Sequence, residues 1–192
     1  MSEFYISAVT SGRPDTTGLT PREVAVYDLL DTLGIPYRHV AHDAAETMEA
    51  CLEIDTRLGT KMCKNLFLCN RQQTDFYLLL MPGDKPFKTK DLSAQLGVAR
   101  LSFGAPEKME ELLHTTPGSA SVLGLMHDKD KAVQLVIDRE VLAGESVGCH
   151  PLVNTSSLRI RTADLQNVVI PAMGHTPVVV DLVRYDPTET PS

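Results

Sequence analysis

A chain of 192 residues, 43% of them hydrophobic and 22% charged, has the size of one domain with a sizeable core and is too apolar for a disordered chain. Its longest apolar runs, such as Val168-Val169-Ile170 and Val178-Val179-Val180, fall far short of the roughly 20 residues that span a bilayer. Met1-Ser2-Glu3-Phe4 has no basic region leading into an apolar stretch, so a secretory leader is not expected.

Residues 1–19 are polar, rich in Gly, Thr and Ser, and read as a loose leader. Thr20-Pro21-Arg22-Glu23 is a capping box with proline at the first helical position. The helix it opens places Val24, Tyr27, Leu30 and Leu33 on one face and stops at Gly34. Residues 37–41 read as a short strand. A second helix over 46–55 is expected to turn Met48, Leu52 and Cys51 inward. Strands at 65–70 and 76–81 flank the polar turn Arg71-Gln72-Gln73-Thr74-Asp75 and form a hairpin that Pro82-Gly83 ends. Short helices follow at 89–96 and 106–113, the second opened by Pro106. Strands are expected near 121–126, 132–138, 146–149, 157–161 and 178–183, with a helix from Ala163 to about Ile170. This order of helices and hairpin-linked strands predicts a single α+β domain with a mixed, mostly antiparallel sheet and flanking helices.

A net charge of −7 argues against tight, unaided binding to a phosphate backbone. Lys61, Lys64, Lys85, Lys88, Lys90, Arg100 and Lys108 nevertheless gather between 61 and 108, either as a solvated surface or as a small phosphate-facing patch. The cysteines at 51, 63, 69 and 149 form no C-x-x-C pair, and the six histidines show no H-x-x-x-H or H-x-E spacing. Reduced thiols and no metal site are expected.

Three segments could carry chemistry. Lys64-Asn65-Leu66-Phe67-Leu68 opens an apolar strand with two residues that are poor choices for a buried strand. The Lys64 ammonium suits a phosphate or charge developing on a carbonyl oxygen; it could equally cap the strand at the surface. Asn65 offers a donor and an acceptor from one side chain, to a ligand or to its own strand end. Pro117-Gly118-Ser119-Ala120-Ser121-Val122-Leu123-Gly124 is rich in small residues that turn backbone amides toward an anion. Gly148-Cys149-His150-Pro151-Leu152-Val153-Asn154-Thr155 carries a histidine suited to binding an amino group or orienting water near neutral pH. Cys63 and Cys149 adjoin these segments, but no Cys–His–Asn arrangement is legible, and residues 149 and 150 should point to opposite faces.

These segments resemble the YbaK/prolyl-tRNA-synthetase-associated editing-domain superfamily, and within it the free-standing Ala-tRNA(Pro) deacylases, from about Thr20 to about Arg184. In that family the second loop usually reads P-G-S-V-T/S-P-F/L-G; here Val122 replaces the second proline and Ala120 stands where valine is common. The resemblance implies a barrel-like sheet and an editing domain over 20–185, between a 1–19 leader and a 186–192 tail. It further implies trans-editing hydrolysis of mischarged tRNA(Pro), most of all Ala-tRNA(Pro), in the cytoplasm, without metal, cofactor or covalent nucleophile. Lys64 would hold the terminal adenosine region, and the Gly118 and Ser119 amides would meet the oxyanion. Asn65 would sit beside the ester, Ala120, Ser121 and Leu123 would wall the aminoacyl pocket, and His150 and Asn154 would belong to the third motif. The implied partners are the tRNA acceptor end and prolyl-tRNA synthetase or another protein, with no membrane. Two alternatives stand beside this: a non-catalytic tRNA- or synthetase-binding module, and a deacylase for Cys-tRNA(Pro) or a Ser/Thr ester.

Overall fold

The computed structural model describes residues 3–186; apart from Asp186, the expected tail lies outside them. Strands fall into two sheets. One has the order β1 (Thr10–Ser11), β2 (Tyr37–Ala41), β8 (Ser156–Arg161), β7 (Ser146–Cys149), all antiparallel. The other runs β5 (Ser102–Phe103), β3 (Cys63–Cys69), β4 (Phe76–Pro82), β6 (Val133–Asp138), β9 (Val178–Val180), with β4–β6 and β6–β9 parallel. An isolated bridge between Met62 and Gly148 joins the sheets at one corner. A Cβ on Gly148 would sit 2.8 Å from the Lys61 carbonyl oxygen, so only glycine permits this approach. The sheets otherwise stay separate, and the barrel-like sheet implied above is instead a two-sheet arrangement.

The segment read as a loose leader carries β1, and Phe4, Ile6 and Val9 pack on the buried Val40, Ile54 and Leu58. α1 (Pro21–Thr32) follows its Thr20 cap, but Glu23 does not reach back as a capping box requires. It turns inward, where it accepts from the Tyr27 hydroxyl at 2.8 Å and the Ser156 hydroxyl at 3.4 Å. α2 (Met48–Leu58) has a different phase from the one expected. Ala50, Ile54 and Leu58 point inward, while Met48 and Leu52 are 79% and 61% exposed and Cys51 is exposed. α3 (Thr89–Leu96) and α4 (Pro106–Leu113) fall where the sequence placed them. The strand expected over 121–126 is a 3-10 turn, Val122–His127, whose start is capped by the Ser121 hydroxyl. α5 (Arg139–Ala143) follows β6. A last helical stretch passes from Thr162–Asp164 through a π-wound turn, Leu165–Val169, to Ile170–Ala172.

The main core lies between the sheets and includes Tyr27, Leu30, Phe67, Leu78, Leu80, Leu123 and Ile160. A second core, with Leu68, Leu79, Met81, Leu92 and Val136, fills the other face of the five-stranded sheet. At its rim the Lys85 ammonium is buried against Asp138 at 2.7 Å, Glu140 at 2.8 Å and the Leu182 carbonyl at 2.9 Å. Lys85, expected among surface lysines, is thus a structural ion that ties the loop after β4 to the end of β6. No helix among the described residues is long and apolar enough to cross a membrane.

Candidate active site

Strand alternation divides the first motif. Cys63 and Phe67 pack into the main core and Leu66 and Leu68 into the second, so Asn65 and Lys64 lie on opposite faces of β3. Asn65 Oδ1 accepts from the Val122 amide at 2.9 Å, which ties the strand to the second motif. Lys64 donates to the Lys85 carbonyl at 2.6 Å, and burial pulls its pKa down while Asp84 opposes the shift.

The loop before the 3-10 turn is held from inside. Buried Thr115 donates to the carbonyls of Ser119 at 3.0 Å and Leu152 at 3.3 Å, and so staples the second motif to the third. Gly118 adopts φ +89°, a conformation that side chains resist. The Ser119 amide donates to the Thr116 carbonyl at 3.0 Å, which closes a turn and takes that amide out of any oxyanion site in this conformation. Gly118 N–H makes no backbone hydrogen bond among the described residues. Ser121 and Leu123 are fully buried, the first as a cap and the second in the core, while Ala120 is half-buried against it. Of the wall residues expected here, only Ala120 is open in part.

The third motif carries backbone strain. Leu152 has φ +65°, which costs a bulky residue about 1–3 kcal/mol and marks a conformation its surroundings impose. Two residues earlier, His150 Nδ1 lies 2.8 Å from the Ser156 carbonyl. A carbonyl only accepts, so Nδ1 carries the proton and Nε2 keeps its lone pair. Ser157 Oγ lies 3.3 Å from the same Nδ1 and 2.8 Å from His42 Nε2, and His42 Nδ1 is 2.7 Å from the Asp43 carbonyl. By the same rule His42 donates from Nδ1, so Ser157 donates to His42 and can accept from His150. One directed chain follows, His150 to Ser157 to His42 to the Asp43 carbonyl. Burial lowers the pKa of both histidines, which keeps them neutral and preserves the chain. His150 Nε2 has no partner among the described residues. Asn154 is half-buried nearby in sequence and makes no side-chain hydrogen bond among them.

Burial pushes the thiols of Cys63 and Cys149 up to about 12, so neither holds a thiolate at neutral pH. Three clefts, of about 500, 420 and 210 Å³, open elsewhere on the molecule, and none is lined by Asn65, His150 or the 117–121 loop. Thr115, Ser157 and His42 escaped sequence reasoning. Each acts through a partner distant along the chain, and an isolated Thr, Ser or His carries no local signal of that.

Comparison with known proteins gives the family of the chain. Residues 42–168 match the model of the aminoacyl-tRNA editing domain. The "Prolyl-tRNA editing protein ProX" of Acetoanaerobium sticklandii is 30% identical over 158 residues, which cover 82% of this chain and 96% of that protein. The "Prolyl-tRNA synthetase associated domain-containing protein 1" of Danio rerio is 29% identical, over 80% of this chain and 83% of its own. A solved structure presented as a candidate trans-editing enzyme for prolyl tRNA synthetase superposes with a TM-score of 0.64 at 18% identity, covering 85% of this chain and 98% of its own; it attests the fold. The chain belongs to the aminoacyl-tRNA editing-domain family.

Proposed function

We propose that the protein edits in trans, hydrolysing the ester of mischarged tRNA(Pro), with Ala-tRNA(Pro) as its main substrate. The observation that carries this reading is His150, neutral, fixed through Nδ1 and with Nε2 unpartnered among the described residues, beside two loops pinned by Asn65 and Thr115. The names of the relatives, a prolyl-tRNA editing protein and prolyl-tRNA-synthetase-associated domains, support a role in prolyl-tRNA editing.

The physical need is a second sieve. A synthetase pocket shaped for proline gains only about 1–3 kcal/mol per methylene against a smaller amino acid, so discrimination has to be repeated at a site that admits alanine. Aminoacyl esters are activated, and water suffices as nucleophile, placed by the ribose hydroxyl of the substrate. His150 Nε2 accepts a hydrogen bond from that water or from the substrate's α-amino group. His150→Gln separates hydrogen bonding from general-base action, since an amide can accept a hydrogen bond but cannot take a proton. With the Ser119 amide committed to its turn, Gly118 N–H is the amide of the pair left to meet the oxyanion. Lys64 would hold the terminal adenosine end, which requires its ammonium to leave the Lys85 carbonyl. The protonated thiols favour direct hydrolysis over a cysteinyl intermediate.

The deciding experiment incubates the purified protein, with and without chelator, with Ala-, Cys-, Ser- and Pro-tRNA(Pro) and follows release of labelled amino acid. Fast cleavage of Ala-tRNA and survival of Pro-tRNA are expected. Equal rates on Ala- and Pro-tRNA would sink the assignment. Lys64→Ala should abolish deacylation and keep the cooperative thermal transition; loss of that transition would make Lys64 a structural residue.

A further inference from the structure

The lysines that the sequence gathers between 61 and 108 are largely engaged. Lys61 faces Asp84 at 3.5 Å, Lys85 is buried among carboxylates, Lys88 lies 3.8 Å over the Tyr185 ring, and Lys108 pairs with Glu111. The four-stranded sheet leaves one of its three neighbouring arginines, Arg38, without a side-chain partner among the described residues. Arg38 on β2 stands directly opposite Arg159 on β8, and Arg161, two residues along β8, shares their face. Like charges placed opposite one another weaken a sheet, and neither Arg38 nor Arg159 makes an ion pair among the described residues. Arg159 is held by the Leu58 carbonyl at the C-terminal end of α2, at 3.2 Å, and Arg161 by Asp164 at 2.9 Å. Arg38 makes no side-chain hydrogen bond or ion pair among the described residues. Arg38, Arg159 and Arg161 line the cleft of about 500 Å³ together with Ser11, Gly12, Pro36 and Tyr37.

We propose that this cleft is a second contact for nucleic acid, in which Arg38, Arg159 and Arg161 clamp the phosphate backbone of the tRNA acceptor stem. The proposal rests on the deacylase reading above. Guanidinium forks match phosphate oxygens two at a time, as an ammonium cannot. Arg159 and Arg161 are about 7 Å apart along the strand, so each can take a separate phosphate, which suits a polymer better than one free anion. Ser157, the residue beneath His150, occupies the same face of β8, about 7 Å from Arg159 and about 13 Å from Arg161. A strip of this kind also lets a protein of net charge −7 hold RNA through one local field.

The test uses Arg38→Glu and the double variant Arg38→Glu/Arg161→Gln, both at exposed positions, with thermal unfolding as the folding control. Arg159 is left intact because it caps α2. Binding of uncharged tRNA(Pro) is measured by fluorescence anisotropy between 50 and 200 mM salt. Deacylation is measured on full Ala-tRNA(Pro) and on an alanyl ester of the bare CCA end. The double variant should bind tRNA about tenfold more weakly at low salt, with the salt slope reduced by about one to two. KM for full Ala-tRNA should rise by a similar factor, with kcat and cleavage of the CCA ester unchanged. Unaltered tRNA binding and salt slope overturn the clamp, and loss of binding to prolyl-tRNA synthetase in that same case assigns the cleft to a protein. A native protein that cleaves neither ester would defeat the deacylase reading, while the anisotropy series would still decide the clamp.

Discussion

Two clusters of buried polar groups, one at the rim of the five-stranded sheet and one in the four-stranded sheet, are completed in opposite ways. Around Lys85 every interaction closes on the protein: two carboxylates and a carbonyl meet one ammonium. Around His150 the groups are neutral and joined in one direction, and the chain starts from a histidine whose Nε2 has no partner among the described residues. A buried charge is tolerated only when fully compensated, so the first cluster can do nothing but hold the fold. A neutral chain carries no such penalty and can present a free acceptor. The difference separates architecture from chemistry more sharply than residue type does, since both clusters hold titratable side chains.

The largest effect should come from the closed cluster. Lys85→Met leaves Asp138 buried without its counter-ion and should cost about 3–5 kcal/mol, read from denaturant unfolding. Adding Asp138→Leu should restore part of this but not all. Asp138 also accepts from the Glu140 amide as the cap of α5, and a lost cap costs about 1 kcal/mol. A single variant as stable as the native protein would show that the pair is not a structural ion.

The open cluster should respond in rate and not in fold. His150→Ala should lower deacylation by about 10²-fold or more, the range for a positioned acid–base group and about 3 kcal/mol of barrier, with the unfolding midpoint little changed. Because burial holds the His150 pKa below its ordinary value, the rate should rise with pH through that lowered pKa and be level at neutral pH. A rate still climbing at pH 7 would mean that another group takes the proton.

The ends and types of many elements could be read directly, and their faces could not. The Thr20 cap, the 71–75 turn and Pro106 each fix a boundary by local chemistry. α2 shows where this stops. Met48, Cys51 and Leu52 share a helical face as plausibly as Ala50, Ile54 and Leu58 do, and only packing on Val40 selects the second set. The 121–126 segment is apolar enough for a strand, yet the Ser121 hydroxyl and the Asn65 amide capture the amides that open a 3-10 turn. In the site, Asn65 and His150 stood out by type and place, whereas Lys85 looked like its neighbouring lysines. Its partner Asp138 is 53 residues away, and no local pattern encodes that distance.

A pH titration of stability probes a histidine that belongs to neither extreme. His39 is buried edge-on to Tyr27, bonds Ser156 Oγ at 3.3 Å, and has its pKa lowered to about 4 by burial. The unfolded chain takes up this proton near 6.5 and the folded chain only near 4. Stability from His39 is therefore complete above pH 6.5 and is lost as pH falls toward 4, by roughly 3 kcal/mol. Glu23, on the same Ser156, shifts upward and acts in the opposite sense, so the measurement is the difference between native protein and His39→Gln. That difference should shrink as pH falls; a difference constant from pH 7 to 4.5 would contradict a neutral buried His39.

The smallest effect expected tests whether the open cluster is a chain at all. Ser157→Ala removes the hydroxyl that joins His150 to His42 but leaves the Ser156 carbonyl to hold His150 Nδ1. The tautomer should therefore survive, and the loss should be that of one neutral hydrogen bond, about 1 kcal/mol or five- to tenfold in rate. His42 keeps its bond to the Asp43 carbonyl but loses the partner of Nε2, so His42→Phe should produce a loss of the same order. The two losses should not add, because either change cuts the same chain, and the double variant should be about as active as the weaker single one. Additive losses would mean that Ser157 and His42 support the site separately, and the His150 cluster would then be a set of independent packing contacts. Non-additive losses with an unchanged unfolding midpoint would set it apart from the Lys85 cluster, in which removal of a partner is paid in stability.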